Sequence, residues 1–143
     1  MVRWDVMRAP MSVQLLVTLG AERGVSAESC LARTGLREEV LRDPNVEVSA
    51  KQELTVIGNL LDALDDPPGL GIEAGVRYHL TTYGIWGFAL ISSPTWRSAI
   101  QVGLRHIDLT FAFCRFRARE DGERMHLVLD TPDIPPSLFE GET

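Results

Sequence analysis

His79, His106 and His126, with Cys30 and Cys114, are the side chains best suited to metal binding, proton transfer or nucleophilic attack, and their spacing supports none of these. His106 and Asp108 lie two apart on a predicted helix and point in different directions, so they cannot share an ion. The sequence holds no G-x-x-x-x-G-K-S/T, no G-x-S-x-G and no H-E-x-x-H, which removes the phosphate loop, the nucleophile elbow and the helical zinc site. No carboxylate pair has a pocket to work in. We therefore assign no catalytic residue, no metal ligand and no cofactor, and expect a protein that is not an enzyme. Two cysteines cannot hold zinc alone, and both read as small buried hydrophobes in a reducing compartment.

Charge gives two weaker signals. Arg115, Arg117 and Arg119 line one face of a predicted strand, with Arg124 near the following turn. A solvated strand face with Glu120 and Glu123 as neighbours explains them better than an anion site. Residues 31–41 have the outline of a helix-turn-helix, yet Arg37 and Arg42 are outweighed by Glu38, Glu39 and Asp43, which is the wrong sign for phosphate. The whole chain carries −6. These residues are not expected to bind DNA directly.

The aromatic residues are more informative. Tyr78, Tyr83, Trp86, Phe88 and Trp96 fall within nineteen residues, interleaved with glycines and followed by Arg97, Arg105 and His106. Apolar walls with a few directed polar groups are what a small-molecule site requires. The candidate ligand-binding set is Tyr83, Trp86, Phe88, Trp96, Arg97, Arg105 and His106. A plain core where helices cross is the competing explanation of the same residues.

The elements that must position this set begin with helices. Val13, Leu16, Val17 and Gly20 repeat at helical spacing over 11–22. Ser26 caps a second helix, expected to run to Thr34 and stop at Gly35, and a short one follows over 37–42. Ser49-Ala50-Lys51-Gln52 is a capping box ahead of Leu54, Ile57, Leu60, Leu61 and Leu64, and the prolines at 67 and 68 end that helix. A less regular helix spans 69–80, and an apolar, glycine-spaced stretch occupies 83–91. Ser93 as N-cap with Pro94 at the first helical position opens the last helix, with Trp96, Ile100, Gly103 and Ile107 on one face. The period then becomes two over 111–119 and 124–130 around Glu120-Asp121-Gly122, a β-hairpin. Pro132, Pro135 and Pro136 mark an irregular tail.

At 143 residues, 45% hydrophobic and 24% charged, the composition is that of one ordinary globular domain, neither disordered nor fibrous. The longest apolar run, near 85–91, is far too short to span a bilayer, and the N-terminal residues lack a signal-peptide cleavage pattern, so a cytoplasmic protein is expected. The expected class is α+β: about six helices followed by an antiparallel hairpin, its sheet completed by a further segment or a second chain.

Gly84-Ile85-Trp86-Gly87-Phe88-Ala89-Leu90-Ile91-Ser92-Ser93-Pro94-Thr95, followed by Arg97, Ala99 and Arg105, resembles the G-x-x-G-x-A-x-x-S-S-P-T stretch of the N-terminal effector domain of AraC/XylS-type bacterial transcription regulators. Arg23-Gly24-Val25, Thr34-Gly35-Leu36, Asp43-Pro44, the leucine-rich helix and Asp121-Gly122 agree in order. The resemblance implies that residues 1–143 are one N-terminal domain that senses a small effector or forms a homodimer. DNA would be bound only through a C-terminal pair of helix-turn-helix motifs outside this chain, with no membrane partner. A protein–protein interaction module without a small ligand is the alternative function.

Overall fold

The computed structural model describes residues 4–130, which form two compact units, 4–77 and 78–130. The expected tail at 131–143 lies outside the described residues.

The first unit is helical. α1 (Met11–Glu22) buries Val13, Leu16, Val17, Leu19 and Gly20, the stripe that the sequence periodicity predicts. α3 (Ala50–Leu64) starts at the predicted capping box: Ser49 Oγ accepts from the Gln52 amide at 3.1 Å, and Gln52 Oε1 accepts from the Ser49 amide at 2.8 Å. Val56 and Leu60 of α3 join the α1 stripe in one cluster, with Val25, Cys30, Leu31, Leu41, Val48 and Leu70 completing the core. Each such side chain, fully buried, contributes about 1.5–3 kcal/mol.

α2 is shorter than predicted, Ala27–Cys30 rather than a helix to Thr34. Ser26 caps it as expected, but Asn59 of α3 donates to the carbonyls of Cys30 (2.9 Å) and Ala32 (2.7 Å), while Arg33 turns left-handed at φ 64°. A tertiary hydrogen bond thus ends the helix before Gly35. Of the helix expected over 37–42, only a 3-10 turn at Val40–Arg42 forms. β1 (Met7–Arg8) pairs antiparallel with β2 (Val48–Ser49), a two-residue ladder that periodicity could not reveal. α4 covers Leu70–Gly75, half the span expected for it. Arg77, just past its end, donates to Glu22 at 2.6 Å and holds that carboxyl below the ordinary range.

The second unit contains a 3-10 turn (Leu80–Tyr83), α5 (Gly84–Ile91), α6 (Trp96–Arg105), a further 3-10 turn (Ile107–Leu109), and the hairpin β3 (Arg115–Asp121) and β4 (Arg124–Asp130). Among the described residues, six helices followed by an antiparallel hairpin make the class α+β, as expected. α6 begins two residues later than predicted. Ser93 Oγ donates back to the Ala89 carbonyl at 2.8 Å and is lost as a cap, so Thr95 takes the position, its hydroxyl accepting from the Ser98 amide at 3.1 Å. The predicted face of α6 is only partly inward: Ala99 and Gly103 are buried, but Trp96 is 75% exposed. β3 begins at Arg115 rather than 111, because Thr110 Oγ1 accepts from the Ala112 amide and turns the chain there. The two-residue connection Gly122-Glu123 uses Gly122 at φ 58°, the positive φ a tight hairpin requires.

Candidate functional site

The first glycine of the G-x-x-G stretch, Gly84, has φ 54°, a backbone shape that side chains disfavour. The second, Gly87, is buried, and a Cβ there would fall on the Leu80 carbonyl oxygen. The spacing therefore folds the 3-10 turn hard against α5. Gly103 repeats the device on α6: a Cβ there would lie 3.3 Å from the Trp86 ring and 3.5 Å from Leu90. Trp86 Nε1 donates to the Gly103 carbonyl at 3.1 Å, which fixes the indole between the two helices.

Around that indole the rings gather. Tyr83 lies 5.3 Å from Trp86 and 5.6 Å from Phe111, and Tyr78 lies 6.1 Å from both Tyr83 and Phe111. All four are tilted and half-buried, an arrangement that favours ring edges on ring faces. The ring contacts join two tyrosines, a tryptophan and a phenylalanine. The cluster offers an apolar, π-rich surface suited to stacking a planar or apolar group or to holding a cation over a ring face.

The seven sequence candidates divide. Tyr83 and Trp86 are brought together. Phe88 and Trp96, at 69% and 75% exposure, point to solvent rather than packing with the rings. Arg97 is exposed and its Nε donates to Glu120 Oε1 of β3 at 2.9 Å. Arg105 and His106 are exposed at the C-terminal end of α6, where a cation suits the helix dipole. Phe111 was outside the candidate set because its partners lie about thirty positions upstream and it reads as a strand residue. Its residue type was the only signal. Cys30 is buried as expected, whereas Cys114 is only partly so; both are free.

Within the first unit an open groove of about 490 Å³ is lined by Val17, Thr18, Val25, Ser26 and Glu38, among others, and includes none of the seven candidates. Among the described residues, no three His, Cys, Asp or Glu side chains are grouped to hold a metal, and no helix is long and apolar enough to cross a membrane.

The chain is 31% identical over 134 residues to proteins of Mycobacterium tuberculosis and Mycobacterium bovis, each named an uncharacterized HTH-type transcriptional regulator, covering 94% of this chain and 39% of theirs. It is 33% identical over 93 residues to the ornithine utilization regulator of Pseudomonas aeruginosa, covering 65% of this chain and 27% of that protein. The chain thus spans well under half the length of these curated relatives. No solved structure matches it. Residues 24–141 match the model of the arabinose-binding domain of AraC transcription regulators, N-terminal, and with the G-x-x-G turn and the α5–α6 packing in place, the chain belongs to that family of regulator domains.

Proposed function

We propose that this chain is the effector-sensing part of an AraC-type transcription regulator, working in the cytoplasm and as a homodimer, with DNA bound through another part of the regulator. The observation that carries the reading is the half-buried ring cluster, built by the G-x-x-G stretch inside the span that matches an effector-binding domain family. Tyr83 and Trp86 form the apolar wall of the proposed site. Arg97, Arg105 and His106 supply polar groups at its margin, and Phe88 and Trp96 reach a ligand only where a further layer closes over α5. An effector switches such a domain only through unequal affinity for two arrangements of it. Trp86, hydrogen-bonded to Gly103 of α6, is placed to feel a change in how α5 packs on α6.

The test is a tryptophan fluorescence titration with a metabolite panel that includes arabinose, after the family's name, and ornithine, after a relative's. A saturable change that disappears in Tyr83→Ala and weakens in Trp86→Phe supports the site. An effector bound equally well by both variants removes these residues from it.

A second reading, an interaction module without a small ligand, is favoured by the outer side of α5. Ile85, Phe88 and Ile91 recur there at 78%, 69% and 63% exposure. Contiguous apolar surface of this kind on a soluble protein marks an interaction site. Self-association with no response to any metabolite would select that reading.

A further inference from the structure

The outer edge of β4 is used by neither the core nor the ring cluster. Among the described residues the β3–β4 sheet has two strands, so one side of Arg124–Asp130 meets no neighbouring strand. Natural edge strands are blunted by shortness, proline, bulges or inward charge. β4 is seven residues long, keeps unbroken register against β3, contains no proline, and exposes Leu127, Val128 and Leu129 at 48%, 42% and 58%.

We propose that β4 pairs antiparallel with β4 of a second copy of this chain, centred on Leu127, joining two hairpins into one four-stranded sheet. The inference rests on the homodimer reading above and names the surface that makes it.

The sequence of the strand selects the occupant. Only a pairing centred on Leu127 matches all seven residues of β4 with their counterparts. It sets Arg124 opposite Asp130 of the second copy, and by two-fold symmetry does so twice, so each end of the paired strands is an opposite-charge contact. Met125 then faces Leu129, and Leu127 faces itself. Side chains alternate along a strand, so this register keeps like faces together: Phe116, Ala118, Met125, Leu127 and Leu129 of both hairpins form one largely apolar surface, with Glu120, opposite Met125, as the charged group on that face. A slip of one residue would set that surface against the Arg117 and Arg119 face. Asp130 already accepts from Arg117 through Oδ2, which leaves its other oxygen for Arg124 of the second copy.

Sedimentation and light scattering on the whole chain, with a circular-dichroism melt of each variant, provide the test. The expected result is a dimer whose dissociation constant rises about tenfold in Arg124→Asp and in Asp130→Arg, each of which creates two like-charge contacts, and recovers in the double reversal. Leu127→Cys, in a Cys114→Ser background, should form a symmetric disulfide, because directly opposed residues have Cα atoms about 4.5–5.5 Å apart. Ala118→Cys should not, its symmetry mate lying three strand spacings away, about 14 Å. A dimer that ignores both reversals and yields no disulfide in the Leu127→Cys variant overturns the β4 pairing alone. A chain that stays monomeric at several hundred micromolar overturns the homodimer reading as well.

Discussion

Glu53 sits inside the first unit at 2% exposure, taking hydrogen bonds from Ser12 and from Arg8, itself 8% exposed. Together they tie β1 and the start of α1 to α3. Burial pushes the Glu53 carboxyl above its ordinary value of 4.5, outweighing the lowering by the Ser12 hydrogen bond and the Arg8 charge. A carboxyl raised in the folded state holds its proton more tightly there than in the unfolded chain. Its contribution to stability is therefore full below the unfolded value and is lost as pH rises through the folded one. Glu53→Gln removes that linkage, so its melting temperature should gain on the parent's as pH goes from about 4 to about 7. A constant difference across the series would show that the carboxyl is not raised. Arg8→Ala leaves a buried carboxylate without its cation and should cost about 3–5 kcal/mol in urea unfolding at neutral pH.

Between elements, glycines set the spacing. A Cβ on Gly20 of α1 would lie 2.6 Å from Cys30 Sγ and 3.1 Å from Leu60 of α3. Gly20→Ala should therefore destabilise by about 1–3 kcal/mol. Cys30→Ala, which removes the sulfur, should recover part of that loss, a non-additivity that a double-mutant cycle would read directly. Gly87→Ala is expected to be worse tolerated, since the obstacle is the Leu80 backbone rather than a side chain that can rotate. Near-ultraviolet circular dichroism should show the ring signals of Tyr83 and Trp86 collapsing in that variant while far-ultraviolet helicity persists.

Over the whole chain, burial is unevenly divided. The first unit holds Val13, Leu19, Val48 and Val56 at 0% exposure, whereas the buried residues of the second, among those described, are the small ones Gly87, Ala99, Gly103 and Thr110. Local opening follows burial. Amide exchange should be slowest in α1 and α3 and fast along the hairpin at low protein concentration. If β4 pairs with a second copy, its outward amides should slow as concentration rises while those of α1 do not change. Exchange independent of concentration throughout β4 would argue against pairing.

The sequence was legible where one segment decides its own conformation. The stripe of α1, the Ser49–Gln52 box, the prolines after α3 and the Asp121-Gly122 turn all act over a few residues, and each is found where it was expected. The family stretch was legible too, because G-x-x-G encodes a close approach that Cβ atoms forbid. Partners distant in the chain were not. Asn59 cut α2 short, Thr110 delayed β3, and Phe111 joined Tyr78 and Tyr83 across about thirty residues. Phe88 and Trp96, indistinguishable from Trp86 by residue type, remain exposed. Local hydrogen bonding and sterics are written in neighbouring residues, but which apolar groups meet is decided by packing between segments, and that belongs to the tertiary structure alone.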